Sequence, residues 1–307
     1  MRGKRLAAIA LILFIVGGMV GAIAWYVHGH NIAVLQPAGE VGRRERNLIL
    51  VALLLSVIVV VPVYIMTIGI ALKYREGNHK DPKKKVKYEP DWASSRVYEA
   101  IWWGIPLVII TILSIITWYT SHSLDPSKPL ASNVRPLTIQ VVALDWKWLF
   151  IYPEQRIATV DYAEFPNNTP VDFEITSDTV MNSFWIPSLG SQIYAMPGMS
   201  TQLHLMANKI GSYRGSSANI SGSGFAGMVF TARSASSADF SSWVNTVEAS
   251  PQYLTPTTYK TLAEPTKGYA VQYYASVTDG LYDTIVMKYM SPMPSSKQMT
   301  YAQGMDM

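Results

Sequence analysis

The stretch YRGSSANISGSGFAGM, residues 213–228, decides how the rest of the chain reads. It is a run of small and polar residues between two segments that read as strands. Its side chains with free lone pairs include the hydroxyls of Ser217 and Ser221, the amide of Asn219 and the thioether of Met228. A serine hydroxyl does not ionise usefully near neutral pH and is a hard ligand, whereas a thioether is soft. The loop holds neither cysteine nor histidine, and the chain has no cysteine at any of its 307 positions. Disulfides, thiol catalysis and thiolate metal centres are therefore excluded together.

Around this loop the pattern is that of an all-β unit. Val171-Asp172-Phe173-Glu174-Ile175-Thr176 alternates apolar and polar. Thr138–Ala143, Thr201–Leu205 and Met228–Ala232 are further candidate strands. Gly, Pro and Asn separate them, as in Ile186-Pro187-Ser188-Leu189-Gly190 and Ala195-Met196-Pro197-Gly198. Short strands at this spacing predict a β-sandwich or Greek-key barrel. Asp145-Trp146-Lys147-Trp148 reads as a strand with two half-buried tryptophans. Beyond Ala232, Phe240, Trp243, Val244 and Val247, then Tyr253, Leu254, Tyr259 and Leu262, have helical spacing. Breaks at Ser250-Pro251 and Glu264-Pro265 divide them into two short amphipathic helices.

Upstream, two apolar runs carry no charge, Leu48–Leu72 with 25 residues and Ala100–Tyr119 with 20. Each can cross a hydrocarbon core of roughly 30 Å. Pro62 and Pro106 lie inside them, as membrane helices tolerate. A third run, Leu6–Val27, follows Arg2, Lys4 and Arg5; it reads as a signal peptide with an Ala22-Ile23-Ala24 cleavage site or as a retained third helix. Lys73, Arg75, Lys80, Lys83, Lys84, Lys85 and Lys87 separate the two charge-free runs. The outer segment between the third run and the first of them carries only Arg43, Arg44 and Arg46. The positive-inside rule puts the lysine loop in the cytoplasm, hence residues 120–307 outside. Trp102, Trp103, Trp118 and Tyr119 sit near span ends, as interfacial aromatics do.

Composition agrees with a membrane-anchored protein: 49% hydrophobic and 15% charged residues. A net charge of +4 is too small to suggest nucleic acid, and the lysine loop gives membrane lipid a secondary contact. The five histidines, His28, His30, His79, His122 and His204, have no metal partner in sequence and read as surface or hydrogen-bonded residues. No catalytic constellation is present. Met287, Met290, Met293, Met299, Met305 and Met307 fall in a stretch broken by Pro292, Pro294 and Ser295-Ser296, which predicts a flexible tail rather than a Cu(I) site. Glu99 opens the second charge-free span, where an acid is favoured by the helix dipole.

The motifs resemble subunit II of the haem–copper oxidases. In that family the loop runs tyrosine–x–glycine–x–cysteine–x–glutamate–x–cysteine–glycine, followed by a histidine and a methionine. Ser217 and Ser221 stand at the cysteine positions, Asn219 at the glutamate, Phe225 at the histidine, and Met228 is retained. Met181-Asn182-Ser183-Phe184-Trp185-Ile186-Pro187 resembles the segment of the first histidine, with Asn182 in its place. A binuclear copper (CuA) centre needs two bridging thiolates and two imidazoles. One thioether cannot hold it.

The resemblance covers about residues 40–235 and points to the bo-type ubiquinol oxidases, in which electrons come from membrane quinol and cytochrome c does not dock. The aromatic-rich stretch after residue 235 resembles the C-terminal region of that branch. The resemblance implies a membrane α-helical hairpin, a cupredoxin-like Greek-key sandwich and a short helical C-terminal region. The divisions are 1–30, 40–122, 133–235, 236–290 and 291–307. It implies no cofactor in this chain, with haem, copper and ubiquinol in subunit I, and subunits III and IV as further partners. It implies a bacterial inner-membrane location with a periplasmic C-terminal domain. Trp146 and Trp148 match the patch that passes electrons from cytochrome c to copper in copper-bearing relatives. Glu99 matches a glutamate at a proton-channel mouth. Two rival readings remain: a copper-bearing electron-transfer subunit of a cytochrome c oxidase, and a tethered β-sandwich scaffold or binding protein outside a respiratory complex.

Overall fold

The computed structural model describes residues 17–19, 21–22, 25–28, 30, 32–73 and 94–290. Most of the N-terminal apolar run, Ile23 and Ala24 of its candidate cleavage site, the basic residues 75–87 with His79, and the tail 291–307 lie outside the described residues. The chain divides into two compact units, residues 44–125 and the remainder.

The first unit holds all but the first four residues of helix α1 (Glu40–Lys73) and the whole of helix α2 (Arg96–Ser123). Both extend the charge-free runs by polar turns at their ends. At 1.5 Å per residue each is long enough to cross a bilayer core. The most apolar window of each is unburied within this chain. Pro62 and Pro106 are inside the helices, and the Thr111 hydroxyl donates to the Leu107 carbonyl at 2.8 Å. Glu99 lies in the first turn of α2, half-buried, with its N–H on the Ser95 carbonyl at 2.9 Å.

The second unit begins with ten strands: β1 (Leu137–Leu144), β2 (Lys147–Tyr152), β3 (Ile157–Val160), β4 (Tyr162–Pro166), β5 (Val171–Ser177), β6 (Asn182–Trp185), β7 (Gln192–Ala195), β8 (Thr201–Leu205), β9 (Gly211–Ser217) and β10 (Val229–Ala235). Helix α3 (Ser237–Glu248), β11 (Tyr253–Leu254), α4 (Pro256–Leu262), β12 (Gln272–Tyr274), β13 (Ser276–Val277) and α5 (Leu281–Met287) follow. Two sheets face each other, ordered β12-β3-β2-β1-β5-β8 and β4-β10-β9-β6-β7. The β1–β5 and β4–β10 pairs are parallel in otherwise antiparallel sheets, so the chain crosses between layers as in a Greek-key, cupredoxin-like sandwich.

Side-chain alternation on β2 divides two cores. Trp148, Phe150 and Tyr152 face the second sheet, where Phe184 stacks on Phe230 at 5.1 Å and Trp148 meets Phe184 edge-on at 5.3 Å. Leu149 and Ile151 face the other way. With Val142, Leu144, Ala158 and Val160 they form a cluster with Leu254, Tyr259, Leu262, Tyr274, Leu281, Tyr282, Ile285 and Val286. The C-terminal region is thus a third layer, and the six-stranded sheet is buried on both faces along β2 and β3.

Two expectations are corrected here. Tyr253 and Leu254 are not helical; they form β11, which pairs with β13, and β12 adds an edge strand to the sandwich. Lys147 and Trp148 belong to β2, but Asp145 and Trp146 form a two-residue turn before it, and Trp148 is fully buried rather than half-buried.

Residues 38–42 dock on the turn after β6. Ala38 and Gly42 donate to the carbonyls of Ser188 and Leu189 at 2.7 and 2.9 Å. A Cβ on Gly39 would lie 2.7 Å from both the Leu189 and Met206 carbonyl oxygens, so only glycine allows this approach.

Phe184 is fully buried and packs on Trp148, Phe150, Phe173 and Phe230. Phe184→Ala is expected to destabilise the sandwich by about 3–5 kcal/mol. The check is a lower denaturant midpoint for the detergent-solubilised full chain, read by tryptophan fluorescence.

Candidate functional site

The positions singled out around 182 and 217–228 converge at one end of the sandwich. Asn182 opens β6 and is fully buried; Ser217 closes β9 with 6% exposure. The Ser217 hydroxyl lies 3.1 Å from both Asn182 Oδ1 and the Asn219 carbonyl, which share its single proton, and it accepts from the Ser183 N–H at 3.4 Å. Asn182 Nδ2 donates to the Val180 carbonyl at 3.0 Å, and Asn219 Nδ2 to the Met181 carbonyl at 2.9 Å. Ser221 Oγ points to Met228 Sδ at 3.9 Å. Phe225 starts a 3-10 turn, Phe225–Gly227, that returns the chain to the buried Met228. Neutral hydrogen bonds join what are ligand positions in the resembling loop.

The donor set does not fit a binuclear copper. Hydroxyl and amide oxygens are hard, Phe225 offers no lone pair, and Met228 supplies the sole soft atom among the six. Among the described residues no group of three His, Cys, Asp or Glu side chains is gathered as a metal site.

Trp146 closes the site from the β1–β2 turn. It has φ 63°, a left-handed conformation costing a non-glycine residue of order 1 kcal/mol. Its indole N–H donates to the Ser221 carbonyl at 3.1 Å. A Cβ on Gly224 would lie 2.1 Å from the indole, so glycine is required for the loop to lie against the ring. Trp148 lies in the core instead, its ring 5.3 Å from Phe184.

Three charged residues that sequence reasoning did not single out organise this end. Lys147 is fully buried; its ammonium donates to the Glu264 carbonyl at 2.8 Å and sits 4.6 Å from the Tyr269 ring centroid. Burial pushes this ammonium below its usual pKa, against the pull of Asp161, Asp145 and Glu264. Asp161, 8% exposed, accepts from the Trp148 N–H at 2.7 Å. Asp178 has a side chain only 2% exposed and accepts from Tyr259 at 2.6 Å, Lys288 at 2.6 Å and Tyr289 at 2.8 Å. These partners lie 81–111 residues away in sequence, beyond any local pattern. His204 is buried, its Nδ1 2.6 Å from Asp172 Oδ1; its Nε2 has no protein partner, so it is only half satisfied.

Comparison with known proteins decides the family. Residues 153–235 match the family model "Cytochrome C oxidase subunit II, periplasmic domain", and residues 248–293 match "COX Aromatic Rich Motif". The chain is 51% identical over 268 residues to the cytochrome bo(3) ubiquinol oxidase subunit 2 of Pseudomonas aeruginosa, covering 87% of this chain and 80% of the relative. It is 46% identical over 299 residues to the ubiquinol oxidase subunit 2 of Acetobacter aceti, covering 97% and 94%. It is 35% identical over 264 residues to the quinol oxidase subunit 2 of Bacillus subtilis, covering 85% and 78%. The chain belongs to the quinol oxidase subunit II family. Within that family frame, the aromatic-rich motif is the third layer described above, and Lys147 and Asp178 are its polar attachments.

Burial raises the Asp161 carboxyl from the ordinary 3.8 to about 7, opposed by the Trp148 N–H and the Lys147 charge. A raised folded-state pKa means that the folded chain binds the proton more tightly. Its stabilising effect is complete below about pH 4 and is lost as pH rises through about 7. Asp161→Asn is therefore expected to remove a loss of stability between about pH 4 and pH 7. Denaturant midpoints of parent and variant across that range check it; parallel curves would refute it.

Proposed function

We propose that this chain is the copper-free subunit II of a proton-translocating ubiquinol oxidase in an aerobic respiratory chain. The observation that carries the reading is the hydrogen-bonded set Asn182, Ser217 and Asn219 where copper-bearing relatives need soft ligands. The names of the P. aeruginosa and A. aceti relatives support the quinol assignment. Quinol oxidation and reduction of oxygen to water belong to subunit I, which holds haem, copper and ubiquinol. This chain supplies a scaffold and takes no electrons from cytochrome c, so Trp146 and Trp148 serve packing. Subunits III and IV and membrane lipid are its other neighbours.

In this reading the bacterial inner membrane holds α1 and α2, the lysine-rich connection faces the cytoplasm and the sandwich lies in the periplasm. The working divisions are an N-terminal segment (1–30), the hairpin (40–122), the sandwich (133–235), the aromatic-rich region (236–290) and the tail (291–307). Glu99 then stands at the cytoplasmic boundary of α2, where a carboxylate can take a proton from water and pass it toward subunit I.

Purified oxidase is expected to oxidise ubiquinol and to leave reduced cytochrome c unoxidised at a comparable rate. Rapid cytochrome c oxidation with quinol inactive would overturn the assignment. Restoring the ligands (Asn182→His, Ser217→Cys, Asn219→Glu, Ser221→Cys, Phe225→His) is expected to give thiolate–copper absorption, because the loop frame is intact; a folded, colourless variant would mean the frame has drifted.

Glu99→Ala is expected to slow turnover at normal haem content, with Glu99→Asp milder. Loss of a helix-terminus charge alone would cost about 0.3–1 kcal/mol of stability and leave the rate unchanged. Normal assembly with parental turnover would leave Glu99 only the dipole role.

A further inference from the structure

The third layer reaches past the apolar cluster that it covers. Residues 264–269 cross the β1–β2 turn: the Glu264 carbonyl and the Tyr269 ring cap the Lys147 ammonium, and Lys267 Nζ lies 5.6 Å from the Trp146 ring centroid. The layer's far end is fixed separately. Asp178, in the β5–β6 loop, receives Tyr259 from α4 and Lys288 and Tyr289 from the segment after α5. The one Tyr289 hydroxyl proton is shared between Asp178 Oδ1 at 2.8 Å and the Asp178 carbonyl at 3.1 Å, and the Tyr289 Cβ lies 3.1 Å from where a Cβ on Gly198 would stand. The next residue, Thr179, hydrogen-bonds Asp145 in the turn itself. One buried carboxylate thus ties α4 and the segment after α5 to the loops around the aromatic turn.

The cover also changes the local charge. Lys288 neutralises Asp178, and Lys267 places a cation over Trp146. A soluble protein donor that docks through basic side chains would meet a half-covered turn with a lysine over its tryptophan.

We propose that the C-terminal layer is a built-in lid that shuts the Asp145–Trp146–Lys147 turn to protein-sized electron donors, with Asp178 as its latch. The inference rests on the reading that this subunit takes no electrons from a soluble carrier. It adds that exclusion is steric and electrostatic as well as a consequence of the missing ligands. Restoring a copper site alone would then not open a route from a soluble donor.

The test uses the purified oxidase complex. Lysines are acetylated with an N-hydroxysuccinimide ester and followed by peptide mass spectrometry. Lys147 is expected to react far more slowly than the exposed Lys260 and Lys267, and Asp178→Asn to raise its rate about tenfold by loosening the layer. Tyr289→Phe, which removes only the shared Tyr289 hydrogen bond from the latch, is expected to act in the same direction and serves if Asp178→Asn does not assemble. Lys147 reacting as fast as Lys260 in the parent, or unmoved by either variant, would overturn the lid. In complexes that take up copper after ligand restoration, reduced cytochrome c is expected to reduce the site slowly with the latch intact and about tenfold faster with Asp178→Asn. A small ruthenium reductant should be fast in both. Equal cytochrome c rates would overturn the exclusion. Oxidation of cytochrome c by the unaltered complex would instead sink the underlying assignment, whatever the acetylation pattern.

Discussion

The six-stranded sheet carries apolar side chains on both faces of β1, β2 and β3, and it has to be covered twice. A sandwich ordinarily buries the inner face of each sheet and wets the outer one. Here Val142, Leu144, Leu149, Ile151, Ala158 and Val160 would stand in water if the chain stopped at β10. Each large side chain left exposed forgoes about 1.5–3 kcal/mol. The C-terminal layer meets that demand with Leu254, Tyr259, Leu262, Leu281 and Ile285. Its position is therefore dictated by the sheet, and its passage across the aromatic turn follows from where that sheet ends.

Much of this was legible because local periodicity reports local structure. The two charge-free runs became α1 and α2, and Thr201–Leu205 became β8 residue for residue. The degenerate loop was legible because side-chain chemistry needs no folding to be read. What escaped was non-local. The run Trp148–Tyr152 is continuously apolar, which is the mark of a strand buried on both faces. Lys147 and the two tryptophans beside it disguised that mark as a half-wet strand. Asp178 carries no local signal, because its three partners are distant in sequence. Tyr253 and Leu254 lie in phase with a helix, and only pairing with β13 makes them a strand. The positive φ of Trp146 has no sequence signal, since tryptophan is among the residues least expected there.

The persistence of the loop without its metal has an energetic explanation. Each neutral hydrogen bond in the set around Ser217 contributes only about 0.5–1.5 kcal/mol net. Several together give a few kcal/mol, against roughly 10–16 kcal/mol for a structural metal site in small domains. Such bonds satisfy buried polar atoms and do little more. The loop must be held by what it leans on: Gly224 against the Trp146 indole, Met228 in the core, and the Asn219 side chain on the β5–β6 loop. That second loop is in turn held by the latch at Asp178. The C-terminal layer therefore stands two contacts away from Ser217 and contributes to its order without touching it. A chain that loses metal ligands while keeping the loop needs such a support, and the buried carboxylate with three donors is the one that this fold provides.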